Sequence, residues 1–345
     1  MSTRPALTPL SPLLAVCAVF VILAALYLGR SLFAPVLLAI FTVAIVWPLQ
    51  RAMERRLPRI VAMALTVLAT AAVVVALASL VLWGLNRAAQ WAIANAAGFQ
   101  AHYLRLDAWL EGHGLYLASE FIHNFDPRWL FGAMQRLGMG MQQVASFVVI
   151  ALVFTVLGLL EVEPTRQKLM RAGKVDIVNA CRATGSKFQR YMVIRTVMSA
   201  ATGLGVWAVA KALGVDLALE WGVIAFALNF IPFLGPLFAT VLPTLFATVQ
   251  FDSLLVPLIV FAGLNLVQFL IGSYMEPRVA GQRLSISPFL VLLAVFLWSM
   301  LWGVAGAFLG VPVLIALVTF AEHHPVARGW TSLLAGDAAS RPGSD

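Results

Sequence analysis

The chain has 345 residues, 61% of them hydrophobic and only 11% charged, with a mean hydropathy of +0.93. Soluble domains carry about a quarter charged residues, so this composition cannot cover a globule in water and implies an integral membrane protein. The formal net charge of +8 does not point to nucleic acid, because the lysines and arginines lie in short segments between apolar runs and not in one aromatic-laced patch.

The opening MSTRPALTPLSPLL has one arginine, and no clear small-residue cleavage site follows it. The first apolar run, residues 11–29, therefore reads as a retained span and not a signal peptide. Arg30 and Ser31 leave almost no loop before a second run, 32–49. RAMERRLPR then sets Arg51, Arg55, Arg56 and Arg59 against Glu54, which puts this loop, and with it the N-terminus, in the cytoplasm. With a third run at 60–85, residues 1–85 form three N-terminal spans. Cys17 lies in the first run and Cys181 in a basic segment, so no disulfide framework is expected.

Residues 86–136 are of mixed polarity, and Leu106, Trp109, Leu110, His113 and Leu117 fall near helical spacing, which predicts an extracytoplasmic amphipathic helical segment. His102, His113 and His123 stand too far apart for a compact zinc signature, and no metal site is expected. A fourth span, 137–160, leads into a basic cytoplasmic connector, 161–190. From Glu161 to Arg195 there are eight lysines and arginines against three acids. Val175, Ile177 and Val178 in this connector suit a helix lying on the anionic leaflet. The fifth span covers about 191–213, and Lys211, Asp216 and Glu220 mark its outer side.

Two uncharged runs follow that are too long for single spans. The residues between Glu220 and Asp252, and between Arg283 and Glu322, would make straight helices of about 46 and 57 Å, against a hydrocarbon core of about 30 Å. Each is interrupted near its middle, by IPFLGP at 231–236 and by WGVAGAFLGVP at 302–312. Pairs of short helices folded back on themselves fit these runs, at 217–250 and 286–320. Ordinary short span pairs with turns at the interface are the competing reading. A span at 254–273 separates the two runs, so the hairpins would enter from opposite sides: Asp216, Glu220 and Asp252 lie outside, and Glu276, Arg278, Arg283 and Arg328 inside. Broken helices at corresponding places in two inverted halves point to a transporter binding site.

The expected fold is thus all-α: six full spans plus two Gly/Pro-broken hairpins, about eight membrane elements, with an external helical segment. Residues 191–322 form the transport core and 323–345 a cytoplasmic tail. Within the core, Asn229 precedes the first break, and Asn265 and Gln268 share one face of the intervening span. Unpaired amides are costly in hydrocarbon, so all three should face protein or a cavity. Together with Pro232, Gly235, Pro236, Gly303, Gly306 and Pro312 they are the expected solute-pathway residues. Glu276 and Arg278, on either side of Pro277, are the expected coupling or gating residues, by pairing with each other, anchoring the interface or gating the pathway.

The stretches NFIPFLGPLFATVLPTLFA and GSYMEPRVAGQRLSISPFLVLLAVFLWSMLWGVAGAFLGVPVLIAL resemble the bacterial autoinducer-2 exporter family. The likeness is carried by Ile231, Pro232, Gly235 and Pro236, by Pro277, Arg278, Gly281, Leu284 and Pro288, and by Gly303, Gly306 and Pro312; Pro48 near the end of the second span also matches. The resemblance implies an oligomeric, multi-span transporter of the bacterial cytoplasmic membrane, with members associated with autoinducer-2 export and some with sodium–proton exchange. One departure stands out: many members carry an acid followed by Gly-Asn where this chain has Ile271, Gly272 and Ser273.

Three functions compete on the residues. Export of a small polar solute by alternating access leads. A sodium–proton antiporter needs a titratable group in the pathway, and no Asp, Glu or His lies in the central part of an expected span. A membrane scaffold leaves the broken runs unexplained. An intramembrane enzyme is not expected, since the chain has no HExxH and no pair of intramembrane aspartates; no Walker A motif is present and no cofactor is expected. The expected partners are the lipid bilayer, a small polar solute, a proton or sodium ion and further copies of the chain.

Overall fold

The computed structural model describes residues 12–112, 128–280 and 287–323. Residues 1–11, His113, Leu117, His123, Gly281, Arg283, Leu284 and the tail beyond His323 lie outside the described residues. Those described form helices and no strand, as a backbone must when the bilayer core offers it no water. In chain order the helices are α1 (Pro12–Leu28), α2 (Arg30–Glu54), α3 (Arg59–Ala94), α4 (Ala96–Gly112), α5 (Arg128–Arg171) and α6 (Val175–Ala212). They continue as α7 (Ala218–Leu228), α8 (Leu234–Gln250), α9 (Leu255–Gln268), a π-helical turn (Phe269–Met275), α10 (Glu276–Ala280) and α11 (Pro288–His323). Arg30–Glu54, Arg59–Ala94, Ser146–Arg171, Val175–Ala212, Leu255–Met275 and Pro288–Glu322 are each long and apolar enough to cross a membrane, and 16–28, 218–228 and 234–250 are shorter apolar helices.

Several helices outrun the apolar runs that predict them. Helix α3 continues past residue 85 to Ala94, and α5 and α6 absorb the basic connector except for Ala172–Lys174. Val175, Ile177 and Val178 open α6 and form no separate surface helix. Charge ends an apolar run, but Lys, Arg and Glu are good helix formers, so the helix carries on until the backbone is stopped. The stop is Gly173, at φ 70°, where Gly173 N–H donates to Met170 O and Lys174 N–H to Leu169 O in a Schellman cap. Gly214, also at φ 70°, ends α6 in the same way, with Val215 N–H on Ala210 O.

Both long uncharged runs are hairpins. Helices α7 and α8 run antiparallel: Trp221 meets Phe246 edge-on at 4.7 Å near the open end, and Gly235 lies on the backbone of Leu228 and Asn229 at the turn. The 11 residues of α7 rise about 16 Å, roughly half the thickness of a hydrocarbon core. Helix α11 is broken at Gly303 (φ 62°, ψ −139°). Beyond the break, Gly306 lies on the Trp298 carbonyl and Gly310 on that of Ala294, so residues 304–323 fold back along 288–302.

Helix α6 is the central post, touching α2, α5, α7, α9, α10 and α11. Its C-terminal half packs with α7, α8 and α9 around Val206, Ala210, Trp221, Ile224, Val260 and Leu264. Its first half meets α2 and the second hairpin around Phe41, Phe188, Leu301, Trp302 and Leu309. Trp302 Nε1–H donates to Leu26 O at 3.0 Å, tying α1 to the second break.

Candidate functional site

The turn of the first hairpin lies against the arms of the second. Ile231 and Leu234, at the turn of the first hairpin, pack against Val295, Ala307, Val311 and Ile315 of the second, and the Phe230 and Phe308 rings lie 6.0 Å apart. Elementary chain geometry explains the proline-rich sequence there. Pro232 is buried in the turn itself, where no helical bond is lost, and Phe233 beside it takes φ 64°. Pro236 falls in the first turn of α8, whose N–H groups have no intrahelical acceptor in any case. Gly235 has no room for a side chain against Leu228 O. In the second hairpin Gly303 supplies the positive φ, Gly306 the close approach, and Pro312 is buried in the returning arm.

The polar groups at this junction come from α6 and its neighbours. Asn229, buried at the end of α7, donates from Nδ2 to Ser199 Oγ of α6 at 3.2 Å, and Ser199 is fully buried. One turn earlier on the same face of α6 is Arg195, only 8% exposed, whose Nη1 donates to both carboxylate oxygens of Glu276 at 2.9 and 3.0 Å. Next to this pair, Ile271 of the π-helical turn packs with Ile194 and Met198. Short π segments inside α-helices concentrate at functional sites. Here the segment contains Ile271, Gly272 and Ser273, the positions of the departure from the resembled pattern.

The other expected site residues are distributed less uniformly. Gln268 is half-buried on α9, and its Nε2 has no acceptor among the described residues. Asn265 is exposed and donates to Phe261 O of its own helix at 2.8 Å. Glu276 pairs with Arg195 and not with Arg278, whose guanidinium lies 3.8 Å from the centroid of the Tyr274 ring. Arg195 and Ser199 are the residues that sequence reasoning passed over. A usable signal was present, because an arginine inside an expected span is rare and functional by default, but Arg195 was counted with the basic connector before it.

Polar ties fix both ends of the bundle. Beyond the open end of the first hairpin, Arg87 pairs with buried Glu220 at 3.1 Å, Trp91 Nε1–H donates to Asp216, and Gln250 bridges Asp216 N–H and Gly214 O. At the opposite end, Arg51 pairs with Glu163 and Lys187 with Glu322. The core between these ends holds two broken hairpins in contact beside a buried arginine.

The chain is similar in sequence to known transport proteins. The AI-2 transport protein TqsA of Escherichia coli is 28% identical over 299 residues, covering 86% of this chain and 87% of that protein. A putative transport protein of Haemophilus influenzae is 27% identical over 332 residues, 93% and 95% of the two chains. One from Borreliella burgdorferi is 31% identical over 197 residues, 56% and 54% of the two. The sequence pattern of the AI-2E family transporter matches residues 16–325, and this multi-pass membrane protein therefore belongs to that transporter family.

Proposed function

We propose that this protein exports a small polar solute across the bacterial inner membrane by alternating access at the junction of its two broken hairpins. Autoinducer-2 is the first solute to test, because a relative covering most of the chain is named an AI-2 transport protein. The reading rests chiefly on one observation: the turn of the first hairpin lies against the second hairpin close to its own break. Non-helical backbone at membrane depth is tolerated where it is buried in protein or lines a wet cavity, and paired broken helices build the solute sites of alternating-access transporters. Asn229, Gln268 and the hairpin glycines and prolines lie along the proposed route, with Glu276 as the coupling carboxylate. The basic connector and both termini face the cytoplasm in this reading, and the working unit is a homo-oligomer.

The test is uptake of autoinducer-2 into everted membrane vesicles with and without an imposed proton gradient. Uptake that needs both protein and gradient supports proton-coupled export. Protein-dependent uptake indifferent to the gradient supports export driven by another ion, sodium first. Uptake equal to that of vesicles lacking the protein removes autoinducer-2 as the solute.

A further inference from the structure

The geometry points to Arg195 as the residue that recognises the solute, with Glu276 as its resting counter-ion; this rests on the transport reading above. Arg195 is buried to more than nine-tenths and lies against the Tyr191 hydroxyl as well as Glu276, yet one of its donors is left over. Both Glu276 oxygens are held by the single nitrogen Nη1. The strong arginine–carboxylate arrangement is different: two nitrogens of the planar fork donate in parallel to two oxygens. Arg195 Nε, one of the fork's donors, is buried and meets no acceptor among the described residues. A charged donor left unmatched in a buried site is expensive, and a pair serving only to join α6 to α10 gains nothing from it.

The counter-ion is the looser partner. The Glu276 side chain is 31% exposed against 9% for that of Arg195, and it opens α10 directly after the π-helical turn. Ser199, one turn along the same face of α6, and Asn229 bonded to it add a hydroxyl and an amide on the same side of the helix. A ligand with two adjacent oxygens would match the fork as Glu276 does not, taking Nε–H and a terminal N–H together. The solute class is therefore small, neutral or anionic, with vicinal hydroxyls or a carboxylate. Cations are disfavoured by the arginine charge.

Because Glu276 and the solute compete for one guanidinium, removing Arg195 and removing Glu276 have opposite effects on affinity. In everted vesicles with autoinducer-2 as probe, Arg195→Gln and Arg195→Lys raise KM by about ten- to a hundredfold, the scale of a lost charge-assisted hydrogen bond. Glu276→Gln lowers KM. Glycerate, which has a carboxylate and vicinal hydroxyls, inhibits uptake, and choline does not. Arg195→Lys keeps the buried charge and an ion pair with Glu276, so it separates recognition from folding. An unchanged KM in that variant overturns the proposal, as does restored transport in the Arg195→Glu/Glu276→Arg double variant, since a structural pair survives exchange. Absence of protein-dependent uptake in the wild type removes autoinducer-2 as the solute of the transport reading, whereas wild-type uptake with unaltered KM in the Arg195 variants refutes this assignment alone.

Discussion

Substituting Gly306 by Ala puts the second hairpin to the test. A Cβ at residue 306 would stand 1.7 Å from the Trp298 carbonyl oxygen and 2.4 Å from its carbon, where real Cβ contacts essentially never fall below 3.0 Å. The shortfall is roughly 1.3 Å, and the obstacle is backbone, so no rotamer change relieves it and the two arms must part. Overpacking of this kind costs about 1–3 kcal/mol, and a rigid backbone obstacle puts Gly306→Ala at the upper end. Gly235→Ala, with Leu228 O at 2.1 Å, belongs in the same range for the first hairpin. Gly303→Ala separates conformation from crowding: nothing lies within 4 Å, but φ 62° with ψ −139° is glycine territory, and an alanine there costs on the order of 1–3 kcal/mol. Gly272→Ala is the control, with open space and no positive φ, and should stay within about 0.5 kcal/mol of wild type. The assay is the thermal midpoint of the detergent-purified protein, read as loss of the monodisperse peak. Midpoints should fall for Gly303→Ala, Gly235→Ala and Gly306→Ala, and stay level for Gly272→Ala. A Gly306→Ala midpoint equal to that of Gly272→Ala would mean that the arms of α11 do not meet, and the hairpin argument would fail.

Two further outcomes follow from the helix contacts. Arg87→Ala should destabilise more than Glu220→Gln in the same thermal assay, because the first leaves a carboxylate of 8% exposure unpaired and the second leaves a half-exposed guanidinium that water can reach; the reverse order would refute the burial asymmetry. The Cβ of a residue at 205 would lie 3.6 Å from Val267 Cβ, inside the range of disulfides. Gly205→Cys with Val267→Cys should therefore oxidise to an intramolecular cross-link in a background lacking the free, exposed Cys17 and Cys181, and failure to cross-link on a reducing-versus-nonreducing gel shift would refute the register of α6 against α9.

What could be read from the sequence, and what could not, divides along a physical line. Interruptions in apolar runs are local: Pro232, Gly235, Gly303 and Gly306 announce a chain reversal whatever surrounds them, and both reversals occur where the prolines and glycines stand. Helix ends are also local, but they follow backbone stops such as Gly173 and not the onset of charge, which is why apolar-run boundaries fell short of α3, α5 and α6. Partners are not local. Glu276 has Arg278 two residues away and pairs with Arg195 instead, 81 residues distant, because α9 runs antiparallel to α6 and brings the start of α10 to that turn of it. The register is set by apolar and glycine contacts, Val209 on Gly263 and Val267 on Gly205, which no count of charges reveals. The same register explains why Asn265 and Gln268, three residues apart on α9, meet different surroundings. Leu264 and Val267 turn toward α6 with part of Gln268 beside them, while Asn265 stays exposed and spends its amide on its own helix. An i,i+3 relation puts two side chains on neighbouring parts of one face, but a contact line between two helices is narrower than a face, and only one of these amides lies near it.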